Sequence, residues 1–309
     1  MARPSRSSLI PTRNGVSPSC VALPPDKTAT WSTVLDFLAD RLSAVGRASW
    51  HERMVRGEVL DVSAQALQPD APFLPGTRVY YYRHLAGEPE VPFQEAVLFQ
   101  DDHLLVADKP HFLPVTPTGR YVQQSLLVRL KNRLGIDTLS PIHRIDRETA
   151  GLVVFSLRPQ DRAAYQALFR DRAIAKTYEA IAPYEDGLSW PVERRSRIVE
   201  EDGAFFRMTE AAGEPNSETR VDLLDRRGEW ARYALKPVTG KRHQLRVHMN
   251  ALGLPIAGDQ FYPRVLRGPD EAEDFANPLR LLAQAIRFTD PLTGALRHFE
   301  SQQTLSWPD

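Results

Sequence analysis

Apolar positions recur along this chain with two periods, one helical and one alternating, and the switches between them mark out its segments. Near the N-terminus Leu35, Leu38 and Leu42 fall on one helical face, with Asp40 and Arg41 on the other. From Trp50 to Gly57, apolar Met54 and Val55 sit among basic Arg53 and Arg56, and Val59, Leu60 and Val62 follow. After a polar turn at Pro75-Gly76, the run Val79-Tyr80-Tyr81-Tyr82-Arg83 has the β-branched and aromatic content of a strand. Residues 26–84 thus read as a small α-then-β module of about minimum domain size. Residues 1–25, Arg/Ser-rich and free of acids, read as a flexible tail, and residues 85–95, rich in Gly, Glu and Pro, as a linker.

A denser pattern fills residues 96–309. Val97-Leu98-Phe99, a turn at Asp101-Asp102 and Leu104-Leu105-Val106-Ala107 predict a hairpin that ends at Lys109-Pro110. Val122, Leu126, Leu127, Leu130 and Leu134 keep helical spacing, and Gly135 is placed to cap the helix. Pro159 to Arg170 predicts another helix, with Tyr165, Leu168 and Phe169 inward. Lys176 to Ile181 alternates as a strand, and strand-like runs continue over 190–238. Lys241 to Met249 reads as a helix opened by Thr239-Gly240 and stopped by Gly253. Its first turn is cationic, against the helix dipole, which makes sense if phosphate or a carboxylate approaches there.

Composition changes this picture in one respect. Lys+Arg and Asp+Glu balance at 39 each, so an anionic partner must be met by local charge. Between Gly119 and Arg147 such charge is found: Arg120, Arg129, Lys131, Arg133, Arg144 and Arg147 face only Asp137 and Asp146. The single cysteine, Cys20, forms no internal disulfide, which fits a reducing compartment and makes the cytoplasm the expected location. An organelle transit peptide in residues 1–25 is the lesser alternative, since no amphipathic period accompanies the composition. No apolar run approaches the roughly 20 residues of a membrane span.

The stretch His143-Arg144-Ile145-Asp146-Arg147-Glu148-Thr149-Ala150-Gly151-Leu152 sets one carboxylate between two arginines, directly before the apolar Val153-Val154-Phe155. An aspartate beside arginine is held ionised and suits a nucleophile or base better than a proton donor. The sequence holds no His-Glu-x-x-His, cysteine pair, P-loop, Gly-x-Gly-x-x-Gly or Gly-x-Ser-x-Gly, so zinc, nucleotide and serine-hydrolase chemistry lack positive support. His143 and Asp146, three apart, are too common a pairing to argue a metal. An ordinary Asp–Arg ion pair is the plain alternative for such a string.

The stretch is similar to the His-Arg-Leu-Asp-x-x-Thr-Ser-Gly-Leu signature of the RNA pseudouridine synthases that modify ribosomal large-subunit RNA and some tRNAs. Four further segments agree in order: Leu105-Val106-Ala107-Asp108-Lys109-Pro110, Lys176-Thr177-Tyr178, Thr239 to His248, and Leu252 to Asp259. The resemblance covers 96 to about 300 and implies an α+β catalytic domain with a mixed, mainly antiparallel sheet. It implies Asp146 as the catalytic nucleophile, Tyr178 as the tyrosine that packs on the flipped base with a part in removing its C5 proton, and Arg246 as the aspartate's basic partner. It implies Arg144 as the arginine that enters the RNA stack, and RNA contacts at Arg147, His143, Lys109, Lys176, Lys241 and Arg242, with His143 chiefly supporting the loop. An isomerisation of this kind needs no cofactor, and the partner is rRNA or tRNA, with no metal or membrane and a monomeric enzyme expected. Ile145 and Ala150 depart conservatively from the signature, and His111 to Pro117 departs from the usual small-residue, glycine and His-Pro ending. The module at 26–84, through Arg56-Gly57-Glu58-Val59, resembles the small RNA-binding domain first described in ribosomal protein S4. It has Trp50-His51 in place of the usual small residue and arginine and lacks the Asn-Gly turn, so a structural appendage is an equal reading. For the whole chain a non-catalytic RNA-binding or ribosome-assembly protein, or an aspartate glycosidase of free nucleosides, are the competing readings.

Overall fold

The computed structural model describes residues 10–25, 30–83, 87–268 and 271–308. Its N-terminal part holds β1 (Ser19–Ala22), α1 (Val34–Arg41), α2 (Arg47–Val55), β2 (Val59–Leu60) and β3 (Arg78–Tyr81). Thr33 and Asp36 form a reciprocal capping box that starts α1, and the helix buries Val34, Leu35, Phe37 and Leu38. These pack with Trp50 and Met54 of α2 and Val59 and Val79 of the strands. Val55 and Val62 belong to no core and are exposed.

Two expectations about the connecting segments are corrected. Ser19–Ala22 pairs antiparallel with β3, so β1 is an edge strand of a three-stranded sheet ordered β1-β3-β2, where the sequence suggested a flexible tail. Ile10 and Val16 are also buried, and residues 1–9 of that tail lie outside the described residues. The expected linker is likewise anchored, apart from residues 85 and 86, which are not described. The Glu88 carboxylate accepts backbone N–H bonds from Val122, Gln123 and Gln124 at 2.6–2.9 Å. Helix α3 (Leu126–Leu134) begins four residues later than its apolar spacing suggests, and its first two N–H groups, of Leu126 and Leu127, donate to the carbonyls of Pro114 and Val115.

Beyond this lie β4 (Ala96–Gln100), β5 (Leu104–Lys109), β6 (Ser140–Pro141), β7 (Ala150–Ser156), α4 (Arg162–Arg170) and β8 (Ile174–Pro183). Then follow β9 (Val192–Glu201), β10 (Ala204–Ala211), β11 (Ser217–Arg227), β12 (Trp230–Pro237), α5 (Gln244–Ala251), β13 (Leu281–Thr289) and β14 (Leu296–Glu300). One eleven-stranded sheet runs β10-β9-β11-β12-β8-β13-β7-β5-β4, with β14 on β13 and β6 on β7. Among the described residues β13–β7 is its parallel pair and the other pairings are antiparallel, so the mixed, mainly antiparallel α+β architecture is found. No described helix is long and apolar enough to cross a membrane.

Every residue of β5 and β7 is buried, so the two strands form a covered floor near the β4 edge of the sheet. The parallel approach of β13 is possible because position 151 is glycine. Gly151 has φ +107°, and a Cβ there would lie 2.4 Å from the Ala283 carbonyl oxygen. The glycine of the signature stretch thus lets a distant strand close on the segment that follows Asp146.

Candidate active site

Asp146 lies in the loop between β6 and β7, carried directly by that buried floor. The loop forms one wall of an open cleft of about 750 Å³ that is also lined by Arg144, Lys176, Tyr178, Lys241 and Arg246. Tyr178 comes from β8, beside Leu235 of β12, and Arg246 from the first turn of α5. Three distant parts of the sequence thus meet at this cleft.

The arginine that meets Asp146 is neither of its neighbours in sequence. Arg246 Nη1 reaches the Asp146 carboxylate at 3.5 Å and Glu148 at 3.7 Å. Its other two nitrogens grip Asp259 in a bidentate pair at 2.8 and 2.6 Å. Arg246 is 1% exposed, and although burial opposes its charge, Asp259, Glu148 and Asp146 carry its pKa above the ordinary arginine value. The strong bonds go to Asp259 and the long one to Asp146. Arg246 is therefore a fixed cation, clamped by Asp259, that meets the Asp146 carboxylate only at long range.

The anchor has its own supports. Asp259 also accepts the backbone N–H groups of Phe261 and Tyr262 at 2.8 and 3.1 Å. It follows Gly258, whose φ of +76° and 2.2 Å Cβ-to-Pro278-oxygen approach exclude a side chain. His243, at φ +53°, breaks the helical path, so α5 starts at Gln244 and Lys241 and Arg242 precede it instead of forming its first turn. Gln244 fastens that turn: its Oε1 accepts from the Thr239 hydroxyl and the Lys241 N–H, and its Nε2 donates to Glu218 and Thr219.

Tyr178 is half-buried, and burial followed by the negative charge of Asp146 raises its pKa above the ordinary phenol value. The phenol is held protonated, so its ring offers a stacking face and a donor, not a base near neutral pH. Burial together with Lys176 pushes His143 down to about 3, leaving it neutral. Its Nε2 accepts the Val154 N–H at 3.1 Å, and its ring stacks on Phe169 with 4.6 Å between centroids. His143 therefore ties the loop that carries Asp146 to β7 and α4.

Two of the expected RNA contacts are corrected. Lys109 is fully buried, and its Nζ donates to the carbonyls of Pro110 and Arg147, both at 3.0 Å. It braces the backbone one residue after Asp146 and cannot reach a phosphate, and its burial pushes its pKa down to about 7. Arg147 is turned away from Asp146, bridging Glu148 at 2.8 Å and Glu273 at 2.5 Å. Arg144, Lys241 and Arg242 are exposed on the cleft, and Lys176 lies half-buried in its wall with Nζ 3.3 Å from the Thr239 carbonyl.

The local positive charge over 119–147 is largely internal as well. Arg129 donates to the carbonyls of Phe93 and Val91 and shares Glu95 with Arg133, while Lys131 is buried against Ser17. Arg120 takes Glu273 at 2.8 Å. Of the six cations, Arg144 has no ion pair or side-chain hydrogen bond among the described residues.

Sequence reasoning missed Glu148, Asp259, His243 and Glu273. Asp259 closes a segment that already matched the family in order, so its position was available as a signal and its role was not. Glu148 reads as a loop acid, yet Arg147, Arg246 and its own N–H overcome burial and bring its pKa down to about 2. Glu273 had no signal, since it meets Arg147 across 126 residues of chain.

Comparison with known proteins agrees with this geometry. A family profile described as RNA pseudouridylate synthase matches residues 103–251. The chain is 32% identical over 220 residues to the dual-specificity RNA pseudouridine synthase RluA of Yersinia pestis, covering 67% of this chain and 98% of that protein. It is 30% identical over 231 residues to an uncharacterised RNA pseudouridine synthase of Synechocystis, covering 74% and 79%. Among solved structures, human RNA pseudouridylate synthase domain containing 4 superposes with a TM-score of 0.53 at 26% identity, over 68% of this chain and 88% of that one. The relatives and the assembled site lead to one assignment: this chain belongs to the RNA pseudouridine synthase family, the enzymes that isomerise uridine in RNA.

Proposed function

We propose that Asp146 is the nucleophile of this enzyme and that Arg246 and Tyr178 complete the reacting group. The observation that carries this reading is the division of labour at Arg246, clamped by Asp259 and aimed at Asp146 in an open cleft. The target uracil is stacked in RNA and must be extruded, at a cost of a few kcal/mol. Asp146 bonds to the target nucleotide as the N1–C1′ bond breaks, the freed uracil turns, C5 bonds to C1′ as the bond to Asp146 breaks, and the C5 proton passes to solvent while N1 takes one up. Atoms balance within one nucleotide, so the reaction calls for no cofactor. Tyr178, protonated, packs on the extruded base. Arg144, exposed and without an ion pair among the described residues, is the guanidinium that fills the vacated place in the stack, which a planar group does and a lysine does not. Lys176, Lys241 and Arg242 meet phosphates along the cleft. Arg147 and Lys109 are supports of the catalytic loop.

The substrate we infer is a structured rRNA or tRNA. One relative bears the name dual-specificity synthase, and a yeast mitochondrial relative, 34% identical over 170 residues, is named a tRNA pseudouridine(32) synthase. That match covers 54% of this chain and 36% of the yeast protein. Residues 96–309 carry the reaction, the N-terminal module that includes β1 precedes it, and the enzyme acts as a cytoplasmic monomer. The test is pseudouridine mapping in cellular RNA with wild type and with Asp146→Asn. Sites present with the wild type and lost with the variant are expected, while full activity of the variant ends the nucleophile assignment. RNA binding by the wild type with no pseudouridine at any site would favour a non-catalytic RNA-binding protein.

A further inference from the structure

Once C5 has bonded to C1′, its hydrogen must leave as a proton, and the cleft must hold a group that can take it. Tyr178 is held protonated, and His143 spends its Nε2 lone pair on the Val154 N–H. The arginines of the cleft offer only donors. His243 remains, and the reaction as derived so far gives it nothing to do.

His243 lines the cleft in a backbone conformation that histidine adopts at a cost. Its φ of +53° is left-handed, where glycine is the unstrained choice, yet the chain carries a large side chain there. The ring is 8% exposed. It stacks on Phe261 with 5.8 Å between centroids and 16° between planes, and it meets Tyr262 edge-on at 5.9 Å. Strain of this kind persists where the surroundings fix the residue, and two aromatic rings fix this one.

The hydrogen bonds also set which ring nitrogen carries the hydrogen. On β10, an edge strand of the large sheet, the Met208 N–H donates to the Tyr262 hydroxyl at 2.8 Å, and that hydroxyl donates to the Met208 carbonyl at 2.9 Å. The one hydroxyl hydrogen is thereby committed. His243 Nδ1, 3.1 Å from the same oxygen, is then the donor in that contact and bears the ring hydrogen. Nε2 keeps its lone pair and has no hydrogen-bond partner among the described residues. Burial, helped by Arg246 and Arg242, holds the His243 pKa below the ordinary histidine value, against the negative charges of Asp146 and Glu148. The ring therefore waits neutral, and the two carboxylates favour the imidazolium once a proton arrives.

We propose that His243 is the base that takes the C5 proton, through Nε2, with Tyr262 as the residue that positions its ring. This deepens the pseudouridine-forming reading above and rests on it. The C5–H bond breaks and its electron pair forms the C5–C6 double bond, while the C6–N1 π pair moves to N1, which takes up a proton. The proton on Nε2 passes to water in the open cleft, which restores the neutral ring.

The experiment uses transcripts of the RNA in which pseudouridine mapping finds the site, made with uridine, with 5-deuterated uridine or with 5-fluorouridine, which has no C5 hydrogen to lose. In single turnovers His243→Gly, which accepts the positive φ freely, should slow pseudouridine formation by about 10²–10⁴-fold. Rearrangement of 5-fluorouridine from N1–C1′ to C5–C1′ should keep the wild-type rate. The deuterated RNA should react more slowly than the protiated one in the variant, and added imidazole should restore part of the lost rate. His243→Asn, which also tolerates positive φ and supplies no base, should show the same split between uridine and 5-fluorouridine, and it replaces the glycine variant if that one melts early. Equal losses on the two substrates, or no loss on either, overturn the proposal. Asp146→Asn run in parallel should lose both substrates. If it keeps both, the nucleophile reading fails, while the split at His243 is still read by itself.

Discussion

Two regions rich in arginine, a scaffold wall of which Arg147 alone lines the cleft and an open wall that lines it throughout, use that arginine in opposite ways. On one wall Arg120 and Arg147 converge on Glu273, Arg129 and Arg133 share Glu95, and Lys131 is buried. On the other, Arg144, Arg172 and Lys241 line the cleft with no ion pair among the described residues. The first wall is an internal scaffold whose charges are spent on carboxylates and carbonyls. The second is an open electrostatic surface. Counting basic residues along the sequence gives the first wall the greater charge, and the structure reverses that ranking. What matters for a polyanion is the charge left without an internal partner.

Arg246 belongs to neither wall and is the strongest test of the distinction. Replacing Arg246 by Ala should lower kcat by about 10³-fold or more, as expected for loss of a fixed charge at the reacting group. It should also destabilise the fold by about 3–5 kcal/mol, because Asp259 is left buried and unpaired. Single-turnover kinetics and thermal unfolding separate the two effects, and a variant that keeps wild-type kcat would mean that Arg246 is only structural.

The next effect falls on the scaffold wall through Glu148. Its pKa is depressed in the folded protein from its ordinary value of 4.5 to about 2. Its stabilisation is therefore present above about pH 4.5 and is lost as pH falls toward 2, amounting to about 3 kcal/mol in all. Glu148→Gln should flatten the acid limb of a stability-versus-pH curve over that window. An unchanged limb would remove Glu148 from the ion-pair network.

Smaller and more selective is the effect expected at the open wall. Arg144→Ala should slow pseudouridine formation by about 10–100-fold while weakening initial RNA binding by only a few-fold, because base–guanidinium stacking is worth about 1–3 kcal/mol. Fluorescence of a 2-aminopurine placed beside the target uridine reports extrusion directly. Parallel losses in binding and extrusion would rule out the wedge role. Smallest of all is Arg133→Ala on the scaffold wall, where RNA affinity and its salt slope should stay within about twofold of wild type. A drop in slope by about one phosphate contact would show that the wall is less closed than its ion pairs indicate.

The sequence by itself determined much of this protein. Helical spacing located α1, α3 and α4, alternation located β8, apolar and strand-like runs located β5, β7 and β12, and a short stretch around Asp146 with four ordered companions pointed to the chemistry. These features were legible because each depends on neighbours within a turn of helix or a run of strand, where spacing alone fixes which side chains share a face. It misjudged β1, whose strand exists only because β3 lies beside it, and the start of α3, whose first N–H groups bond to the carbonyls of Pro114 and Val115. The tertiary structure alone decided which charges cancel. Arg144 and Arg147 bracket Asp146 in the chain, yet one points to solvent and the other to Glu273, while Arg246 arrives from 100 residues away. An ion pair needs two groups within about 4 Å in three dimensions, and spacing along a loop does not set that distance. Only the closing of β13 on Gly151 and the anchoring of Arg246 by Asp259 bring the site together.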